Sequence, residues 1–388
     1  MREGWKIKKL GEVCDFQGGS QPPKDEWISE PREGYVRILQ IRDFTQKRSS
    51  DIEFVKKSNR LKYCQETDIL LGRYGASVGK VLTGLAGAYN VAIIKTMPDE
   101  TLIDRSFFKY FLLSPHFQDF LQHASKMRAA QAGFSKEDIQ DYLVFVPPLS
   151  EQKRIVAELD LLSEVIAKKR EQLTQLDALA QSLFYTMFGD PITNEKEWET
   201  KRLGEISTSQ IGITYKPEDV SNNEKGTVVL RSGNIQNSTL CFKDIVRVNS
   251  DIRENKYVRT GDILMCSRNG SSQLVGKVAM IPNLKEKMTY GAFMTVIRSD
   301  FQPFLFAFFR SPAFRSQLTT AKTATINQIT VKMLENMQVI LPPLALQQQF
   351  AEKIEAIEQQ KERIRQSLAE VQLLFDSRMD YYFNEWAE

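Results

Sequence analysis

Between Ser150 and Met187 the apolar positions follow one rule. Ile155, Leu159, Leu162, Ile166, Leu173, Leu176, Ala180, Leu183 and Met187 succeed one another at steps of four and three, and Lys169 fills the one gap. No proline or glycine interrupts the stretch. Such spacing predicts a long helix with a single apolar seam, the pattern of a coiled coil. A seam of that kind needs a partner. At an offset of 195 residues, Phe350, Ile354, Ile357, Ile364, Leu368, Val371, Phe375 and Tyr382 repeat it, with Lys361 and Arg378 as breaks. The simplest reading is a pair of long antiparallel coiled-coil helices formed within one chain. The alternative is two unrelated surface helices on separate cores.

The helices belong to a larger duplication. WKIKKLGEV (Trp5 to Val13) returns as WETKRLGEI (Trp198 to Ile206), and Arg37-Ile-Leu-Gln40-Ile41 as Arg231-Ser-Gly-Asn234-Ile235. DILLGRYGASVGKV from Asp68 returns as DILMCSRNGSSQLVGKV from Asp262. Ser114-Pro115 answers to Ser311-Pro312, and the Pro-Pro pairs at 147–148 and 342–343 each lead into a long helix. Conserved order at a near-constant offset marks a tandem repeat. Within each globular part, Tyr35–Ile41, Val228–Ile235, Asp68–Leu71 and Asn90–Lys95 read as strands between Gly and Asn turns. Phe107–Gln122 and Pro303–Leu318 read as helices broken at Ser-Pro. Strands and helices do not alternate regularly, so the fold class is α+β: two similar mixed α/β domains joined by the helix pair, with pseudo-two-fold internal symmetry. The expected divisions are 1–148 and 196–343 for the domains, and 149–195 and 344–388 for the spacer helices.

Charge sharpens this division. Residues 1–148 carry 22 Lys and Arg against 19 Asp and Glu, and residues 196–343 carry 20 against 13. The helical stretches carry 5 against 8 and 5 against 9. The basic globular parts point to a polyanionic partner, because each neutralised phosphate releases counterions; the acidic helices suit protein partners. No run approaches the ~20 apolar residues of a membrane span. The N-terminal MREGWKIKKLGEV lacks the apolar core of a signal peptide. Four scattered cysteines, Cys14, Cys64, Cys241 and Cys266, indicate neither a zinc site nor a disulfide framework. A cytoplasmic setting with reduced thiols, and no membrane, is expected.

A search for catalytic chemistry finds little. GASVGK (Gly75 to Lys80) misses the phosphate-loop spacing, and Val81 stands where a magnesium-binding hydroxyl is needed. A glycine-permitted turn between strands explains it better. His116 and His123 have no counterparts in the second half. No [Asn/Asp]-Pro-Pro-[Tyr/Phe] motif is present to hold a base for methylation, and Glu151-Gln-Lys153 falls on the first turn of a helix, where glutamate is favoured anyway. Neither catalytic residues nor a metal site can be named.

The duplicated Trp…Leu-Gly-Glu-[Val/Ile] openings, the Asp-Ile-Leu-[Leu/Met]…Gly-Lys-Val segments, PPLSEQKRIVAEL with PPLALQQQFAEKI, and MFGDP together resemble the specificity subunits of type I restriction–modification systems. The similarity covers essentially the full length. It implies a non-catalytic subunit whose two target recognition domains read the two half-sites of double-stranded DNA. The helices would act as spacers that dock two methyltransferase subunits, and restriction/motor subunits would join the complex. The methyl donor and ATP would be bound by those partners, with no cofactor on this chain. Competing readings are a self-contained DNA modification enzyme and a coiled-coil adaptor with no DNA role.

Polar and basic residues in glycine-rich loops are the candidate DNA contacts, since such loops bring side chains and amides close to phosphates and base edges. In the first domain these are Gln21, Lys24, Arg42, Arg73, Tyr74, Ser77, Lys80 and Gln131. In the second they are Tyr215, Lys216, Arg231, Asn234, Arg268, Asn269, Ser271, Lys277, Asn327 and Gln328. Arg37 and Arg231 stand as equivalents in the repeat. The pairs Arg73 with Lys80 and Arg268 with Lys277 suit phosphate holding, a task independent of sequence.

Overall fold

The computed structural model describes residues 4–46, 52–126, 133–221, 225–320 and 328–384. The chain divides into two compact units, Met1–Lys169 with Gln366–Glu388, and Arg170–Arg365. Each unit combines one globular part with a portion of both long helices.

In the first unit, β1 (Lys6–Lys9) runs into the one-turn helix α1 (Leu10–Val13) and then β2 (Cys14–Gly18). Next come β3 (Tyr35–Leu39), the short α2 (Ile41–Thr45), β4 (Phe54–Lys56), β5 (Tyr63–Cys64) and β6 (Leu70–Gly72). After β7 (Val81–Leu82), β8 (Gly87–Tyr89) and β9 (Ile93–Pro98), the chain turns helical as α3 (Arg105–Leu113) and α4 (Pro115–Lys126). It closes with α5 (Lys136–Ile139), β10 (Leu143–Val146) and the long helix α6 (Leu149–Phe188). One sheet has the order β2-β9-β6-β7 and a second β4-β3-β8-β5, while β1 and β10 form a separate ribbon. All pairs are antiparallel except β3 with β8.

The second unit repeats the plan. It holds the ribbon strand β11 (Glu199–Arg202), α7 (Leu203–Ile206), β12 (Thr208–Ile211), β13 (Val220–Ser221) and β14 (Thr227–Leu230). A hairpin of β15 (Ile235–Gln236) and β16 (Thr239–Leu240) follows, then β17 (Val246–Val248), β18 (Ile263–Cys266), β19 (Val278–Met280), β20 (Met288–Tyr290) and β21 (Met294–Arg298). The helices α8 (Gln302–Arg310), α9 (Pro312–Thr320) and α10 (Val331–Glu335), the strand β22 (Gln338–Leu341) and the long α11 (Leu344–Phe383) complete it. Its sheet β12-β21-β18-β19 matches the first sheet of the first unit. In β13-β17-β14-β20 the three strands β17-β14-β20 match β4-β3-β8, with β14 and β20 again the parallel pair, but the fourth strand lies at the opposite edge.

The Ser-Pro breaks have a physical cause that both units share. Ser114 and Ser311 are extended, and each hydroxyl donates to a carbonyl three residues back, Phe111 and Phe308. Proline then starts the next helix. The strand expectations ran too long: β3 stops at Leu39 and β14 at Leu230, because the next residues turn into helical caps, and Asn90 lies in a turn ahead of β9.

The helices pack antiparallel in both units. In the first, Tyr382 near the end of α11 donates to Glu158 near the start of α6 at 2.6 Å, and Arg378 pairs with the same carboxylate at 2.8 Å. In the second, Leu176 and Ala180 of α6 bury against Ile357 of α11. The expected seam residues Leu162, Leu173, Leu183 and Met187 are only half-buried, whereas Phe184 and Phe188 are fully buried against Phe304 and Phe350. The seam therefore steps round the helix where Phe304 of the domain packs beside Phe350 of the partner helix. Lys361, a break in the pattern, is buried and ion-paired, and Met379 rather than Arg378 fills the core at the far end. No helix among the described residues is long and apolar enough to cross a membrane.

Candidate nucleic-acid interface

In each domain one short turn, between the parallel-paired strand and the long antiparallel one, gathers three other segments. In the first unit the turn is Tyr89 to Ile93. The backbone N–H groups of Gly19 and Ser20, following β2, donate to Ile93 and Tyr89; Asn90 donates to Leu39 at the end of β3; and Arg73, following β6, donates to Ala92. In the second unit the turn is Tyr290 to Met294. Gly212 and Ile213 donate to Met294 and Tyr290, Gly291 donates to Leu230, and Ser267 and Arg268 both donate to Phe293. The loops that carry the candidate DNA contacts therefore leave the sheets at one place in each domain.

Two features hold this hub. Tyr89 and Tyr290 are fully buried beneath it, and burial pushes the Tyr290 hydroxyl up to about 12. Gly19 and Gly212 permit the close backbone approach: a Cβ built on either would overlap a carbonyl oxygen, that of Asn90 or Tyr290. The duplicated aspartate that opens each DIL segment is equally structural. Asp68 accepts from the Gln65 N–H and pairs with Lys95 at 2.5 Å; Asp262 accepts from the Arg259 N–H and pairs with Arg298 at 2.9 Å. Burial works to raise the Asp68 carboxyl, but the hydrogen bond and charge of Lys95 outweigh it and hold it below the usual carboxylate range.

The GASVGK segment is a turn, as its residues imply. A 3₁₀ turn over Gly75–Ser77 leads through Gly79, at φ +80°, into strand β7 rather than a helix. Gly79 donates to Gly72, just as Gly276, at φ +81°, donates to Cys266. These bonds align Lys80 with Lys277. They also align Arg73 with Ser267 and Tyr74 with Arg268, and both Tyr74 and Arg268 form a bridge to the chain near Gly133 and Gln328.

The pairing of Arg37 with Arg231 is corrected by the sheet register. Leu39 pairs with Tyr89 and Leu230 with Tyr290, so Arg231 stands where Gln40 does, and Asn234 where Asp43 does. Gln40 and Arg231 cap the turn after the strand, and the Asp43 and Asn234 side chains accept their N–H groups at 2.7 and 2.8 Å. Asn234 is 1% exposed, and its amide donates to Cys241 and Asp244. It is a turn-holding residue and presents nothing to a base edge.

The other candidates fall into clusters. Lys24 and Arg42 meet on the Glu53 carboxylate at 2.7 and 2.5 Å, and Lys24 also lies 3.9 Å above the Trp27 ring. Gln21 is exposed on the loop before them. Arg73 donates to the Phe134 carbonyl at 2.6 Å and stacks on Tyr74, and Ser77 donates to the Tyr74 carbonyl. Arg73 and Ser77 thus hold the hub together, while Lys80 is exposed. In the second domain Arg231 pairs with Asp244, Lys216 with Glu218, and Tyr215 packs on Val229, Val248 and Ile252. Asn269 donates to Ser232 and accepts from the Ser271 N–H, tying two loops together. Arg268 is exposed, Lys277 and Gln328 are half-buried, and Gln131 and Asn327 lie outside the described residues.

Phe293 was not a candidate, although it is 57% exposed at the tip of the hub. In a hydrophobicity scan an aromatic next to Met294 reads as core. The return of Tyr89-Asn90 as Tyr290-Gly291 marks the turn, but the first domain has Ala92 where Phe293 stands, so the repeat does not single out the ring. Gln152 and Gln347 were also passed over. Gln152 is fully buried; it donates to Leu102 and Pro147 and accepts from the Asp104 N–H, so it pins the Pro-Pro segment to α6. Gln347 does the same for Pro342.

Among the described residues, no group of three or more His, Cys, Asp or Glu side chains sits where it could hold a metal ion. The Cys64 thiol is pushed up to about 11 by burial, which keeps it from acting as a nucleophile at neutral pH.

Two domains built on one plan, each gathering its loops at a single turn, define the class of fold. The model of the type I restriction modification DNA specificity domain matches twice, at residues 2–177 and 195–373, and the chain belongs to that family. The MjaVIII specificity subunit of a type I restriction enzyme from Methanocaldococcus jannaschii is 22% identical over 92% of this chain and 86% of its own length. The EcoKI specificity subunit of Escherichia coli is 29% identical over 41% of this chain and 36% of its own length. Among solved structures, a type I restriction–modification S subunit from M. genitalium aligns at TM-score 0.53 and 13% identity, covering 99% of this chain and 97% of that one. A chain from a study of type I R-M complex assembly and conformational transition aligns at TM-score 0.56 and 19% identity, covering 99% and 98%. These likenesses establish a shared fold.

Proposed function

We propose that this chain is the DNA-sequence-specificity subunit of a type I restriction–modification complex and carries no catalytic centre of its own. Each globular part reads one half of a split target. The helices set the gap between the halves and dock two methyltransferase subunits, with restriction/motor subunits joining the larger assembly. The methyl donor and ATP are bound by those partners.

One observation carries this reading. The two hubs share four backbone bonds, to which the second adds one from Arg268 to Phe293, while the residues they present differ: Ala92 against Phe293, Tyr74 against Arg268, Gln40 against Arg231. A constant frame with variable tips is what a pair of readers for two different half-sites requires, because phosphate contacts can be shared while base contacts must not be. The uneven charge of the halves adds support, since the basic surplus lies in the globular parts and the acidic surplus in the helices.

The test is an exchange of residues 1–148 for the matching domain of another family member, read by sequencing methylated sites in a host carrying the full complex. One half of the target is expected to change, with the other half and the gap unaltered. A simultaneous change in both halves would refute the division of labour.

A further inference from the structure

Phe293 is the most exposed aromatic side chain of the second domain's hub, yet its backbone is among the most firmly held. Its carbonyl accepts three hydrogen bonds, from the Ser267 N–H at 3.0 Å, the Arg268 N–H at 3.1 Å and the Ser267 hydroxyl at 3.0 Å. The Arg268 guanidinium lies 5.3 Å from the centre of the Phe293 ring. Arg268 is exposed, and among the described residues its side chain meets no carboxylate. Its backbone is bridged to Gln328, and the next residue, Asn269, is anchored to Ser232. A large apolar ring and a free cation are thus presented side by side from a rigid support. Exposing such a ring to water is unfavourable, and fixing it in place serves no packing purpose, so the arrangement calls for a ligand with an apolar spot beside an anionic or acceptor-rich edge.

Resting on the specificity-subunit reading, we propose that Phe293 and Arg268 form one base-reading contact in the major groove of the half-site bound by the second domain. The ring meets the C5-methyl group of a thymine, and the guanidinium donates to O6 and N7 of a neighbouring guanine. Those are the two partners that an aromatic face and an arginine fork recognise in that groove. The first domain has Ala92 and Tyr74 at the matching places, so this contact belongs to one half of the target alone.

The complex assembled with its methyltransferase subunits is the material for the test. Phe293→Ala, Phe293→Leu and Arg268→Ala are compared with the parent for affinity and for methylated motif, and each thymine of the second half-site is replaced in turn by deoxyuridine. Phe293→Ala and Arg268→Ala are expected to weaken specific binding about five-fold or more and to relax base preference in the second half-site only, with Phe293→Leu intermediate. One deoxyuridine substitution should weaken the parent complex and leave Phe293→Ala unaffected. Unchanged melting of Phe293→Ala would confirm that the exposed ring does not support the fold. Parent-like affinity and motif in both alanine variants would overturn the proposal while leaving the specificity-subunit reading intact; a parent complex with no two-part motif would defeat that reading itself. A rise in 2-aminopurine fluorescence on binding, abolished by Phe293→Ala, would overturn the groove contact in favour of a wedge between bases.

Discussion

Lys361 donates to Asp177 at 3.0 Å from a position that is 3% exposed, and Arg310 of α8 reaches the same carboxylate at 3.0 Å. A lysine that interrupts an apolar seam is thereby neutralised, and the domain helix α8 is tied to both long helices at one point. Asp177→Ala removes the main countercharge and leaves Lys361 with Glu358 alone. The expected cost lies below the roughly 3–5 kcal/mol of stripping a buried ion pair of one partner, because the Glu358 carboxylate remains. Lys361→Met should cost less, because it removes the buried charge itself and Asp177 keeps Arg310. Urea unfolding of the two variants checks the order.

The same carboxylate gives a pH signature. Burial works to raise the Asp177 carboxyl, but Lys361 and then Arg310 outweigh it and hold the group below the usual carboxylate range. A group with a lowered pKa binds fewer protons in the folded state, so its stabilisation is complete above the unfolded value of about 3.9 and fades as pH falls through the folded value. Stability measured from neutral pH to below pH 4 should drop less steeply in Asp177→Asn than in the parent.

Gln152 and Gln347 occupy equivalent places with unequal bonding. Gln152 makes three hydrogen bonds, whereas the Gln347 amide donates to Pro342 and its oxygen is buried with no partner among the described residues. Gln152→Leu should therefore cost about 2–4 kcal/mol by stranding an N–H and two carbonyls. Gln347→Leu should cost clearly less. Thermal melting of the two single variants gives the comparison.

Gly19 and Gly212 lie against the carbonyls of the hub turn. Alanine at either site forces the strand end away from the turn, with an expected loss of about 1–3 kcal/mol. The loops displaced carry the candidate DNA contacts, so under the proposed function each variant should also weaken recognition of one half-site. Methylation profiles of Gly19→Ala and Gly212→Ala should be disturbed in opposite halves; disturbance of the same half by both would contradict the equivalence.

Lys80 and Lys277 hold matching positions and present their charge from a turn common to both domains. Under the proposed function they would hold phosphates and contribute affinity without base preference. Lys80→Ala should lower the slope of log affinity against log salt by about one and leave the recognised motif unchanged. Binding titrations of the complex at several salt concentrations measure both.

The duplication, the α+β class and the antiparallel helices were legible in the chain because they rest on patterns that recur in order along it: the spacing of Ile155, Leu159 and Ile166, the Ser-Pro breaks, the Pro-Pro entries into α6 and α11. Periodicity reports which face of an element is buried, and a repeat reports that the same solution is used twice. The register of the repeat within each motif was another matter. Side-chain likeness paired Arg37 with Arg231, and only the hydrogen bonds of Leu39 and Leu230 to the hub turns placed Arg231 opposite Gln40.

The same limit governed the candidate site. Loop composition drew attention to segments that the structure gathers at one turn in each domain, since glycine, asparagine and basic residues accumulate where the chain turns at the surface. Whether a given side chain is available depends on neighbours far along the chain. Asn234 is enclosed by Cys241 and Asp244, Arg73 is held by Phe134, and Arg42 and Lys24 share Glu53, while Phe293, apolar and unremarked, stands out at the tip. The sequence by itself determined two readers on a helical frame, because periodicity and repetition are local properties. Which residues each reader can offer was decided only by tertiary structure, because hydrogen bonding between distant segments determines which polar groups are already satisfied and which still face outward.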